Sequence, residues 1–299
     1  MMNPDAQLAA DAVPGVGTPA AQPRRGPAPV RVDVAGLTHV GKKRSVNEDH
    51  YVIASFAKSL HLLDTSLEDR SVFERLHKPP AHLLVVADGV GGKDAGEVAS
   101  SMTVETIAEY LGGIVGCYNR FDVDGEHEFL DHLSSSVEQS HVKLQEEFPS
   151  GRSAASTVTM AAVIWPRAYL VHVGDTRAYY LRRGNMRQLT QDQTVGDFMV
   201  DIGALSEADA RKRGLFDVLS SAVGSDLTPA VGLIDLEPGD VLLLCSDGLT
   251  KHVSDERISE LLGTSPTAEA ACQALVDAAM EDGGSDNITV VAARFSGAA

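Results

Sequence analysis

The run TVTMAAVIWPRAYLVHVGDTRAYYLRRGNMRQL, residues 157–189, decides the fold. Thr157 to Trp165, Tyr169 to Val173 and Ala178 to Leu181 read as three strands in succession. Gly184-Asn185 then supplies a hairpin turn before a fourth, Met186 to Leu189. Consecutive strands without a helical crossover pair antiparallel, so this segment predicts a meander rather than βαβ units.

Outward from this meander the pattern alternates in blocks. Upstream, Val104, Ile107, Ala108 and Leu111 follow the spacing of one buried helix face, and Asp94 with Glu97 forms a capping box at its start. A second helix is predicted from Leu130, Leu133, Val137, Leu144 and Phe148. Strands are expected earlier still at Val30 to Val40, His50 to Ala54 and Leu83 to Ala87, the last ending directly in Asp88. Residues 55–81 lack periodicity, carry Pro79 and Pro80, and read as an insertion or long loop. Downstream, residues 191–228 are more polar, with short helical stretches at Val195 to Leu205 and Glu207 to Arg213, and read as a mobile surface excursion or flap. Strands resume at Val231 to Leu236 and Val241 to Cys245, helices follow at Asp255 to Leu262 and Ala268 to Met280, and Asn287 to Phe295 is the last strand. Runs of strands separated by runs of helices predict an α+β domain of packed antiparallel sheets with helices outside, spanning residues 30–299. Residues 1–29, rich in Ala, Pro and Gly, read as a disordered tail.

Composition narrows the function. The 42 acidic and 25 basic residues give a net charge of −17, which repels nucleic acid and anionic lipid and disfavours both as partners. Cys117, Cys245 and Cys272 are too few and too scattered for a disulfide framework or a zinc site, and a reducing cytoplasm fits best. No apolar run reaches the roughly 20 residues that cross a bilayer.

The chemistry is written in aspartates at strand ends. Asp88 follows Leu-Leu-Val-Val-Ala, Asp175 follows Val-His-Val-Gly, Asp247 follows Leu-Leu-Leu-Cys-Ser, and Asp286 precedes Asn-Ile-Thr-Val-Val. Any single Asp-Gly among them reads more readily as a turn. Several buried carboxylates converging would repel one another unless cations compensate them, and an all-oxygen ligand set favours Mg²⁺ or Mn²⁺ over zinc. Asp88-Gly-Val-Gly-Gly92 adds glycines that let the backbone approach a ligand, with the Gly89 carbonyl as a candidate ligand. In Arg44-Ser-Val-Asn-Glu48-Asp49, an arginine precedes two adjacent acids, a pattern suited to gripping phosphate beside a metal or to a plain surface ion pair.

Together these segments resemble the PPM or PP2C-type serine/threonine protein phosphatases in their bacterial form. The matching segments are Arg44–Asp49 (RSVNED), Asp88–Gly92 (DGVGG), Ser156–Thr157, Gly174–Arg177 (GDTR), Ser246–Leu249 (SDGL) and Gly284–Asn287 (GSDN), in the family's order. The resemblance implies an antiparallel β-sandwich flanked by helices on both outer faces, a four-layer αββα arrangement. It implies that Asp88 bridges two Mn²⁺ or Mg²⁺ ions, that Gly89 lends its carbonyl, and that Asp247 and Asp286 complete one site. Glu48 and Asp49 would serve the second site, and Asp175 with Asp247 the third ion seen in bacterial relatives. Arg44 would hold the substrate phosphate while a hydroxide bridging the two cations attacks phosphorus. The implied substrates are phosphoproteins made by a serine/threonine kinase in a bacterial signalling circuit, and the implied protein is a cytoplasmic monomer. Residues 191–228 would be the family's variable flap.

Two positions depart from the family pattern. Val90 stands where many eukaryotic members have histidine, which leaves the general acid unassigned. Lys251, four residues after Asp247, stands where an acidic or polar residue is common in relatives and is expected to weaken the third metal site, on which the two core sites do not depend. Rival readings are a non-catalytic relative that binds phosphoproteins and a phosphatase of small esters. Gly36 to Lys42 nearly matches a P-loop, but Lys43 replaces the required Ser or Thr. Asp122-Val-Asp-Gly125 reads as an acidic turn rather than a calcium loop. His172 is expected in the core, Arg177 against Asp175 or backbone carbonyls, and Cys245 as a buried, inert thiol.

Overall fold

Alternate residues of the central strands face two different apolar layers, which explains why their sequences are almost uniformly apolar. In β3 (Ala81–Gly91), Leu83, Val85 and Ala87 pack beneath α1 (Ala95–Ile114) and α2 (Val123–Glu147), against Ile107, Leu111, Leu133 and Val137. Leu84 and Val86 point the other way, to a second sheet. That sheet repeats the pattern. In β10 (Val241–Cys245) and β11 (Ile288–Gly297), Leu242, Leu244, Val291 and Ala293 face the first sheet. Leu243, Cys245, Val290 and Ala292 face α6 (Asp255–Thr264) and α7 (Ala268–Glu281). Three apolar layers between four layers of structure give the αββα sandwich.

The computed structural model describes residues 30–56, 80–91, 95–114, 123–149 and 154–297. The 1–29 tail, most of the 55–81 insertion, Gly92, Asp94 of the capping box, Cys117 and Asp122 lie outside the described residues. One sheet runs in the order β1 (Val30–His39), β11, β10, β7 (Arg177–Arg182) and β8 (Asn185–Gln188). The other runs β2 (Asp49–Phe56), β3, β5 (Val158–Ile164), β6 (Arg167–Val173) and β9 (Ala230–Asp235), with β4 (Ala154–Ser156) on the far end of β3. Every pairing is antiparallel.

Three local expectations are corrected. The β7–β8 turn is Arg183-Gly184, one residue earlier than expected: both have positive φ, 52° and 79°, and Arg182 pairs with Asn185. Two such residues fit the tight turn whose twist matches a hairpin. β3 does not stop at Ala87 but continues to Gly91, because β4 pairs with Gly89, Val90 and Gly91. Asp247 opens a short helix, α5 (Asp247–Thr250), that no periodicity signalled. In the 191–228 excursion, α3 (Val195–Asp201) and α4 (Glu207–Lys212) are capped by Thr194 and Ser206. Bridges Thr194 to Leu219 and Ser156 to Val223 fasten the excursion to the sandwich.

Candidate active site

Asp49 and Asp88 are direct cross-strand partners in β2 and β3, so the pairing register alone sets two carboxylates side by side. Thr157, between β4 and β5, fixes the backbone of Asp88 from both sides. Its N–H donates to the Asp88 carbonyl (2.8 Å), and the Asp88 N–H donates to its hydroxyl (3.0 Å). Asp247 and Asp286 arrive from the opposite sheet, at the end of β10 and just before β11. Asn287 holds that junction against the loop ahead of β2: its side-chain amide donates to the Val40 and Val46 carbonyls, and its Oδ1 accepts from the Glu48 N–H at 2.8 Å. The space closes without room for a side chain at Gly248, where a Cβ would lie 1.8 Å from the Asn287 carbonyl oxygen. Gly248→Ala is therefore expected to lower stability by at least about 2 kcal/mol, roughly 5 °C in Tm, in a thermal melt.

These residues border a cleft of about 560 Å³. Arg44, Glu48, Asp88, Asp175, Asp247 and Asp286 line one side, and the returning limb of the excursion, Asp217 to Asp226, lines the other. Burial and mutual repulsion dominate the electrostatics. Burial, together with Asp49, Asp247, Asp175 and Asp286, pushes Asp88 well above the usual carboxylate range. Burial and neighbouring aspartates raise Asp49 and Asp175 each to about 7, although hydrogen bonds from Thr289 and Ser246 pull Asp49 the other way. Burial raises Asp247 as well, against the pull of Lys251. Asp286 differs: burial works to raise it, but Lys251 and Arg44 outweigh burial and hold it below the usual range. Arg44 reaches Asp286 with Nε at 2.8 Å and Nη2 at 3.1 Å, and Glu48 at 3.7 Å.

Among the described residues, the Oδ1 atoms of Asp49 and Asp247 are buried with no hydrogen-bond partner. Such orphaned acceptors cost free energy unless something electropositive meets them. An all-oxygen set suits a hard divalent cation. As placed, no three His, Cys, Asp or Glu side chains among the described residues form a group that would hold one ion, and the Lys251 ammonium and the Arg44 guanidinium lie among the carboxylates. The donor set itself, carboxylates with orphaned buried oxygens, is of the kind that suits divalent cations.

The sequence profile of the family described as Protein phosphatase 2C matches residues 64–283. The chain belongs to the protein phosphatase 2C family. The serine/threonine protein phosphatase PstP of Mycobacterium tuberculosis is 35% identical to it over 217 residues, covering 71% of this chain and 40% of PstP. The chain therefore spans about two-fifths of the length of PstP. Protein phosphatase PhpP of Streptococcus pneumoniae is 28% identical over 266 residues, covering 87% of this chain and 96% of PhpP. The PstP catalytic domain in complex with two manganese ions superposes with a TM-score of 0.67 at 29% identity, over 90% of this chain and all of that one. The Streptococcus agalactiae serine/threonine phosphatase gives 0.72 at 28% identity, over 88% and 99%.

Against this 2C-family frame, Arg44, Glu48, Asp49, Asp88, Gly89, Asp175, Asp247 and Asp286 all gather at one end of the sandwich. One expectation fails: Arg177 does not brace Asp175; its guanidinium makes a two-pronged pair with Asp192 (2.8 and 2.7 Å) and donates to the Tyr179 hydroxyl. The Lys251 ammonium lies 2.5 Å from Asp247 and 2.9 Å from Asp286. Burial works against that charge, but the two aspartates overcome it and hold it above the ordinary lysine value. His172 and Cys245 are buried as expected, His172 bonded to Thr159 and the Cys245 thiol pushed by burial to about 12. The sequence reading missed Ser246, whose hydroxyl donates to Asp49 (2.7 Å) while accepting from the Thr289 N–H (3.0 Å). The serine that precedes Asp247 was visible as part of a motif, but nothing local pointed it at a residue nearly 200 positions away.

Proposed function

We propose that this chain hydrolyses phosphoserine and phosphothreonine on proteins, using two divalent cations, Mn²⁺ or Mg²⁺. The observation that carries the reading is the pair of orphaned buried carboxylate oxygens, on Asp247, which lines an open acidic cleft, and on Asp49, the cross-strand partner of the cleft residue Asp88. The phosphatases it matches, one of them with two manganese ions, support the same assignment.

In this reading Asp88 and the Gly89 carbonyl would help to hold both cations. Asp247 and Asp286 would complete one set of ligands, Glu48 and Asp49 the other, and Asp175 with Asp247 would be available to a third ion. Bound cations supply the positive charge that makes water nucleophilic at neutral pH and neutralises the phosphoryl oxygens. The chain's own contribution is orientation. Thr157 and Ser246 lock Asp88 and Asp49 in place, and Asn287 ties Glu48 to the Asp286 junction. Arg44, half exposed at the cleft edge, turns from Asp286 to grip the phosphoryl group with two parallel N–H donors. Val90 is 46% exposed and has no proton to give, so the leaving oxygen takes its proton from water or from another group. The cleft, open past the Asp217–Asp226 limb, suits a phosphorylated protein segment better than a buried small ester. We place the enzyme opposite a serine/threonine kinase, as a cytoplasmic monomer; no described helix is long and apolar enough to cross a membrane.

Hydrolysis of a phosphothreonine peptide, measured with Mn²⁺, with Mg²⁺ and in EDTA, tests the reading. Metal-dependent turnover that EDTA abolishes is expected. Binding of the peptide without turnover under every metal would favour the non-catalytic alternative. Arg44→Ala is expected to raise KM for the peptide about 10- to 100-fold with a smaller fall in kcat, as steady-state kinetics would show.

A further inference from the structure

Lys251 lies where one of the proposed cations would have to act. Asp247 is the first residue of α5 and Lys251 the residue that closes it, so one helical turn places their side chains on the same face. The Lys251 N–H donates to the Asp247 carbonyl at 2.8 Å, which fixes the lysine backbone at that spacing. From there the ammonium spans two carboxylates that come from different segments, Asp247 Oδ2 at 2.5 Å and Asp286 Oδ2 at 2.9 Å. Asp286 also holds Arg44, and Asp247 keeps its second oxygen buried and unpartnered. The lysine side chain is 39% exposed, so a swing into the cleft is open to it.

We propose that Lys251 is a tethered counter-ion that clamps Asp247 to Asp286 in the metal-free protein and must be displaced before a divalent cation binds there. The inference rests on the two-cation reading of the same site. Its consequence is a threshold: the chain keeps its carboxylates together when metal is scarce and takes up metal only at a concentration high enough to evict the ammonium. A monovalent charge held by the chain competes with a divalent one from solution, and every metal-binding event carries the cost of moving it.

The test uses the full chain stripped of metal, as wild type, Lys251→Gln and Lys251→Arg. Thermal melting in EDTA and calorimetric titration with Mn²⁺ are the readouts, neither of which needs turnover. Lys251→Gln is expected to melt lower than wild type in EDTA and to bind Mn²⁺ at least about tenfold more tightly. Lys251→Arg, which keeps the charge, is expected to match wild type in both. Should the glutamine variant unfold in EDTA, recovery of its fold by added Mn²⁺ supports the clamp, and failure to recover overturns it. If wild type binds Mn²⁺ and the glutamine variant binds it equally or more weakly, the clamp is wrong while the metal site stands. If neither protein binds Mn²⁺, the metal site falls and the clamp with it.

Discussion

Asp88→Asn is expected to lower kcat/KM on a phosphothreonine peptide by about 10³-fold or more while making the metal-free protein melt at a higher temperature. The two effects have one origin. Besides its burial, Asp49, Asp247, Asp175 and Asp286 each raise the proton affinity of Asp88. Its charge is therefore held against the folding free energy and is useful only when cations are present. Asparagine keeps the shape and the backbone contacts with Thr157 but removes the charge. The activity loss follows from removing a ligand shared by both proposed cations, an effect in the upper range for a single electrostatic group. The stability gain follows from relieving buried like charges, as is common where sites are built at the expense of stability. Peptide turnover and a melt in EDTA measure both. An Asp88→Asn protein within tenfold of wild-type activity would remove Asp88 from the centre of the site.

The second large effect is on pH. Asp49 and Asp175 rise to about 7 in the folded protein, from an ordinary value near 3.8. When the folded value is the higher one, the folded state binds the proton more tightly. The resulting stabilisation is complete below the unfolded value and is lost as pH climbs through the folded one. The metal-free protein should therefore lose stability steadily between about pH 4.5 and pH 7.5. Each tenfold change in proton affinity is worth about 1.4 kcal/mol, so a fall in Tm of more than about 5 °C is expected across that window. Asp286 has the opposite sign, since its proton affinity is lowered, but its contribution is lost only at pH values below the window. Saturating Mn²⁺ should abolish the decline, because it needs the carboxylates ionised. Melting curves at several pH values, with EDTA or Mn²⁺, check the slope and its removal. A flat metal-free profile would mean that these carboxylates do not share a buried site.

The fold was readable because its signals were local. The meander of residues 157–189 announced antiparallel pairing, and the helix faces around Ile107 and Val137 lay at regular spacing. The motif aspartates were readable because an ionisable group at the end of an apolar strand is conspicuous. What stayed hidden was contributed by a partner distant in sequence. β3 runs on through Gly91 only because β4 lies beside it, and no feature of Asp88-Gly-Val-Gly-Gly92 distinguishes a strand from a turn. Arg177 has Asp175 two residues away, but β7 carries it to Asp192 instead. Lys251 stands out in the sequence four residues after Asp247, but its reach to Asp286 depends on α5, which no periodicity signals. Without that turn of helix, nothing set the ammonium over Asp247 and Asp286.

The pairing of β1 with β11, from Val30 opposite Gly297 to His39 opposite Ile288, has a consequence for biosynthesis. On a ribosome the first strand emerges early and waits for the last. Asp49 cannot receive its bond from Ser246, nor Glu48 its anchor in Asn287, until nearly the whole domain has been translated. A half-made chain therefore lacks the assembled carboxylate cluster. Contacts of such long range also make for slow folding, in milliseconds to seconds rather than microseconds. β11 lies between β1 and β10, so that sheet closes only when the last strand is in place.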